Sequence, residues 1–154
     1  MTATCREACC AAPRMTVSEL LERGLRRNRA APLSIEGDGC VDAEGNAARF
    51  SVELNDSKVA AVGFRATCCA TLIAYGEWIA ETAPGLRLDL AQGLSARDLI
   101  DAVPGVPALK WNRAVLAVAA FRSALARACP GKVETGFPSG ACANEKVSDN
   151  GKQL

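Results

Sequence analysis

Eight cysteines and not one histidine define the chemistry open to this chain. Without imidazole there is no Ser–His or Cys–His nucleophile pair and no metal site built on histidine. Sulfur is left to do the work, as a thiolate that binds soft metals or attacks another sulfur. The eight are Cys5, Cys9, Cys10, Cys40, Cys68, Cys69, Cys129 and Cys142. No pair has the CxxC spacing, so neither a zinc ribbon nor a thioredoxin-type site finds support.

Two positions are placed for chemistry. Cys40 follows Gly37-Asp38-Gly39, which reads as a flexible loop at a sheet edge, and Asp42 is near enough to add an oxygen ligand. Cys69 falls where a strand hands over to a long helix. There the helix dipole and unpaired N–H groups favour the thiolate. Its neighbour Cys68 reads either as part of that site or as a small buried hydrophobe. Cys129, at the end of the last helix, reads as structural, and spacing assigns no role to the cysteines near the two termini.

The elements that must position these sulfurs are legible from periodicity. Residues 1–14 read as a flexible tail ending near Pro13, with Met15 a second candidate start. Thr16-Val17-Ser18-Glu19 has the capping-box pattern, and Leu20, Leu21 and Leu25 give the helix that follows an apolar stripe. Pro32 to Ile35 can form a short strand. Phe50, Val52 and Leu54 alternate with Arg49, Ser51 and Glu53, then Asn55-Asp56-Ser57 turns into a second strand, Lys58 to Ala66. From Ala70 the pattern is helical until Pro84-Gly85. Ser95 opens a short helix, and an alanine-rich helix runs from about Lys110 to Ala128 before Pro130-Gly131. The expected architecture is α+β: a small antiparallel three-stranded sheet with one wet face and helices packed on the other. One domain over 15–130 would be followed by a disordered tail, 131–154.

Bulk composition excludes several partners. With 49% apolar residues and a net charge of +1, nothing draws the chain electrostatically to nucleic acid or an anionic membrane. No apolar run approaches the roughly 20 residues needed to span a bilayer. The N-terminus lacks the pattern of a secretory signal. The expected location is cytoplasmic, where thiols stay reduced.

The stretch Phe64-Arg65-Ala66-Thr67-Cys68-Cys69-Ala70-Thr71-Leu72-Ile73-Ala74 resembles the central segment of NifU/IscU-type iron–sulfur cluster assembly scaffolds. There, an aromatic–basic strand end leads to a cysteine at the start of a small-residue helix. Cys40 with Asp42 is similar to the family's Cys-Gly-Asp, and Glu19 to Leu33 to its opening helix and loop. Val106-Pro107-Ala108-Leu109-Lys110 is similar to the loop the family offers to a chaperone. The likeness covers roughly residues 15–128. It implies an IscU/NifU/SufE-like fold and a scaffold, not an enzyme. It also implies iron or a labile [2Fe-2S] cluster on Cys40, Asp42, Cys69 and Cys68, with zinc as the substitute metal. The implied partners are a cysteine desulfurase, a chaperone reading Pro107, Leu109 and Lys110, and acceptor apo-proteins.

The sequence departs from that pattern at two places. Where the family has its third cysteine, at the start of the last helix, this chain has Arg113, preceded by Asn112. The loop after Cys40 is also longer by Ala43 to Ala47. Two other readings follow: a SufE-like sulfur carrier with a persulfide on Cys40, or a degenerate member that only binds partners through Lys110 and Trp111.

Overall fold

The structure, a computed structural model, describes residues 15–128. Its elements are α1 (Val17–Arg27), β1 (Ile35–Glu36), β2 (Cys40–Val41), β3 (Ala47–Asn55), β4 (Lys58–Ala66), α2 (Ala70–Thr82), α3 (Leu88–Gln92), α4 (Ala96–Ala102), a 3₁₀ turn (Ala108–Lys110) and α5 (Asn112–Ala128). The expected tails and Cys5, Cys9, Cys10, Cys129 and Cys142 lie outside the described residues.

The hairpin read from the alternation is the spine of the sheet. β3 and β4 pair antiparallel, with Phe50 opposite Phe64 and Val52 opposite Val62. Asp56 takes a left-handed φ of 63° in the turn, a conformation aspartate tolerates better than most residues. On the other edge of β3 sit two short strands, β1 against Ser51–Val52 and β2 against Ala47–Ala48. The sheet therefore has four strands where the pattern predicted three. Cys40–Val41 is too short for alternation to reveal, and Cys40 is a strand residue instead of a loop residue.

Helices cover one face. Phe50 meets Phe64 across the strands and Phe121 of α5 edge-on. Gly76 of α2 lets the Phe64 ring approach: a Cβ there would stand 2.9 Å from a ring carbon. α1 then packs on α2, where Gly24 admits Ile73 and the Arg27 guanidinium pairs with the buried Glu77 at 2.7 Å. The far face is less wet than expected, because Ser51 is buried and its Oγ accepts from the Leu33 amide.

The expected caps form. The Thr16 hydroxyl oxygen accepts from the Glu19 amide, and Ser95 with Asp98 makes a full capping box on α4. The last helix begins at Asn112, two residues later than expected, because the 3₁₀ turn absorbs Ala108–Lys110. No helix among the described residues is long and apolar enough to cross a membrane.

Candidate functional site

Sheet register brings the sulfur-bearing segments to one end of the domain. Cys40 stands opposite Ala48, and Ala48 opposite Ala66, three residues before Cys69. Thr67 extends the pairing past the end of β4: its amide donates to the Ala47 carbonyl and its hydroxyl accepts from the Ala47 amide. Cys40 and Cys69 therefore lie at the same end of the sheet.

Their environments differ sharply. Cys40 is 1% exposed and its sulfur is held in a disulfide. Cys68 and Cys69 are both free thiols, so neither is its partner. Nor is the Gly37–Gly39 approach to Cys40 flexible. Gly37 lies flat on α5, where a Cβ would stand 2.5 Å from the Ala124 nitrogen. The Asp38 amide donates to the Ser123 hydroxyl, and the Asp38 carboxylate pairs with Arg127. The mobile loop expected here is a docked one.

Cys69 is the N-cap residue of α2, with extended backbone (φ −132°, ψ 115°). Partial burial would push its thiol up. The Leu72 amide, the Arg113 guanidinium and the Thr71 amide outweigh that and hold it below its ordinary value of 9.0. Cys68, one residue earlier, is exposed, which removes its reading as a buried hydrophobe.

Arg113, at the first turn of α5, is the centre of this end of the molecule. Its side chain is 11% exposed and lies 2.9 Å from a Glu44 carboxylate oxygen and 4.0 Å from one of Asp42. The guanidinium also donates to the Asn112 side-chain oxygen at 2.8 Å, while its buried Nε has no acceptor. Asp42 is held in turn: one oxygen accepts from the Glu44 and Asn46 amides, both at 2.9 Å, and the other from the Asn46 side chain at 3.1 Å. Gly45, at φ 90°, closes this turn.

The residues expected at the site thus divide. Asp42, Cys69 and Arg113 converge. Cys68 is adjacent but turned to solvent, and Cys40 is at the same end but buried and bonded. Among the described residues no three His, Cys, Asp or Glu side chains group as a metal cage requires. Glu44 was missed. It sits in the longer loop after Cys40, whose Asp-x-Glu-Gly-Asn run signals a turn but says nothing of an arginine far along the chain.

Beside the site, Pro107, Leu109 and Lys110 form the rim. Pro107 caps the 3₁₀ turn, Leu109 is 78% exposed, and Lys110 is half-buried. Trp111 neither projects freely nor enters the core. Its ring is partly exposed and its indole N–H donates to the Val106 carbonyl at 3.2 Å.

Among solved structures, the chain is similar to the N-terminal part of a nitrogen-fixing NifU-like protein from Brucella abortus. The two share 17% identity over 77% of this chain and 93% of that one, with a TM-score of 0.40. No curated protein matches the sequence. The sequence pattern of the NifU-like N terminal domain runs through residues 22–133, so the chain belongs to that family of iron–sulfur cluster assembly scaffolds.

Proposed function

We propose that this domain works in cluster assembly as a cytoplasmic scaffold, not an enzyme, gathering iron and sulfur on cysteine and passing a [2Fe-2S] unit to acceptor apo-proteins. The observation that carries this reading is the placement of Cys69: a half-exposed, acid-shifted thiol at a helix start, with the Asp42 carboxylate close by across Arg113. Soft sulfur suits iron, and a carboxylate can complete a labile site. Cys68 is the nearest further thiol, and Cys40 would join only after reduction. In this reading a cysteine desulfurase supplies the sulfur, and a chaperone engages the rim of Pro107, Leu109 and Lys110.

Arg113 weakens such a site, because a guanidinium cannot coordinate iron and repels it. The sulfur-carrier reading based on Cys40 has less support, since that sulfur is buried and disulfide-bonded.

The test is anaerobic reconstitution of the reduced protein with iron and sulfide, read by absorbance and by iron and sulfide content. Wild type is expected to load a chelator-sensitive cluster, and Cys69→Ser to lose most of it. Cys129→Ser, a change of equal volume, should retain it. Equal losses in the two variants, or no loading in wild type, would overturn the proposal.

A further inference from the structure

We infer that the outer face of the sheet, at the end that carries Cys69, is the docking surface for an acidic partner protein, whose carboxylates Arg29, Arg49 and Arg65 receive. The partner's chemistry goes beyond the scaffold reading, and only its assignment to cluster assembly rests on that reading.

Strand register sets two of these arginines side by side. Arg49 on β3 stands directly opposite Arg65 on β4. Both are exposed and, by alternation, point away from the helices, since their neighbours Phe50 and Phe64 are buried. Directly opposed residues have Cβ atoms about 5 Å apart, and like charges placed there destabilise a sheet. Nothing close by neutralises them. Among the described residues no ion pair includes Arg29, Arg49 or Arg65. Arg65 donates to the Ala30 carbonyl at 3.5 Å, which brings its guanidinium beside the exposed Arg29. The Arg49 guanidinium leans the other way, over Gly39, where a Cβ would stand 3.3 Å from its Nη2. The three form a basic strip across the strands, from the end of α1 to the edge before Cys40.

The segment that crosses from α1 to β1 bounds this strip. Leu33 lies on Gly63 and its amide donates to the Ser51 hydroxyl, so it covers the next outward pair after Arg49 and Arg65. Glu36 stands at that crossing, opposite Ser51, and Glu53 falls beyond it. The other boundary is the site itself. Arg65 is four residues before Cys69, and the Thr67 amide in between still pairs with Ala47. A partner seated on the strip therefore lies next to the free thiols of Cys68 and Cys69. Arginine at all three places suits carboxylates, because its planar fork takes two oxygens at once. A polynucleotide fits less well, since three cations neutralise few phosphates and the net charge is only +1.

The experiment uses the full chain, isotope-labelled for NMR and titrated with a peptide of alternating glutamate and serine. A twin peptide with glutamine for glutamate is run in parallel. Amide and arginine Nε–H shifts are followed at low and raised salt. The acidic peptide is expected to move signals within 29–33, 47–51 and 63–69, and salt to reverse the effect. Arg49→Gln and Arg65→Gln should each weaken binding several-fold, their spectra showing that the variants fold. Arg49→Gln should also raise the denaturant midpoint, because it relieves the cross-strand repulsion. An arginine kept for the fold alone would lower it. Equal shifts with the glutamine peptide, shifts centred elsewhere, or a midpoint that does not rise would each overturn the inference. So would tighter binding of a single-stranded oligonucleotide or of phosphatidylserine vesicles. Its failure is separable from that of the scaffold reading. A wild-type protein that loads a cluster but shows no shift on this face keeps the scaffold and loses the inference. One that binds the acidic peptide here but never loads iron does the reverse.

Discussion

Cys68 and Cys69 are chemically identical and adjacent, yet only one faces an arginine and the first amides of a helix. Thiol reactivity at neutral pH follows the thiolate fraction, so alkylation is expected to distinguish them. Iodoacetamide should modify Cys69 in a pH-dependent way, with the rate rising at lower pH than for an ordinary thiol despite its partial burial. In Arg113→Gln that rise should move to higher pH, with neutral-pH reactivity down several-fold, as site-resolved mass spectrometry can follow. Stability should change with the same sign. A thiol acid-shifted only in the folded state adds stability above its unfolded value near 9.0, and loses it as pH falls through the folded value. The stability gap between wild type and Arg113→Gln should therefore widen from neutral pH toward 9, as denaturant melts at several pH values would reveal. Restoring a ligand is the converse test: Arg113→Cys is expected to make a reconstituted cluster more chelator-resistant than the wild-type one. Equal durability would mean that Cys68 already completes the site. The position of Cys69 was readable because a strand-to-helix change is a local signal. The partners of Arg113 were not, since Asp42 and Glu44 reach it only through the sheet register.

Elements meet here through close backbone approaches, and these set which single changes the fold will not accept. A Cβ on Gly37 would collide with the main chain of Ala124 and Ser123, neither of which can rotate away. Gly37→Ala is expected to cost about 2 kcal/mol by denaturant unfolding and to loosen the docked approach to Cys40. The α1–α2 contact depends on a different device. Arg27 reaches the Glu77 carboxylate with two nitrogens and the Val62 carbonyl with a third, while Glu77 is 1% exposed. Burial pushes Glu77 up against the downward pull of Arg27. Arg27→Ala leaves a buried carboxylate with no countercharge, and should cost roughly 2–3 kcal/mol near neutral pH. The sign follows from linkage. A carboxyl raised in the folded state stabilises below its unfolded value of 4.5 and loses that stability as pH rises through the folded value. The deficit of Arg27→Ala should therefore shrink in acid, as melts near pH 4 and pH 7 would show. Most of these elements were legible, because their periodicity is long enough to see. Two were not. β2 has only two residues, and α3 sits in a stretch whose Leu-Asp-Leu run is too short to separate helix from turn.

At the scale of the molecule, one end carries the reactive sulfur and the other elements hold that end in shape. Leu109, Trp111 and Val115 are large apolar residues left at the surface on the turn and helix that also bear Arg113. A single exposed leucine contributes little to folding, so Leu109→Glu is expected to change stability by less than about 0.5 kcal/mol. It should nevertheless weaken capture of a chaperone partner, as titration calorimetry with wild type and variant would detect. The α+β class and the order of elements were readable from sequence because layers leave a binary pattern. The state of Cys40 was not, since burial and bonding of one thiol leave no periodic trace.

The site is also assembled from segments that are far apart in time. β3, β4 and α2 are consecutive, so the hairpin and the helix headed by Cys69 can form from local contacts as the chain emerges. Arg113 belongs to the last helix, and at common synthesis rates it follows Cys69 by roughly a few seconds. During that interval Cys69 has its helix amides but no guanidinium, and the Asp42 turn has no cation to hold. The arrangement of Cys69, Arg113 and Asp42 is complete only when α5 docks, so on a nascent chain it would act as a timer, withholding the guanidinium from the thiol until the domain is finished.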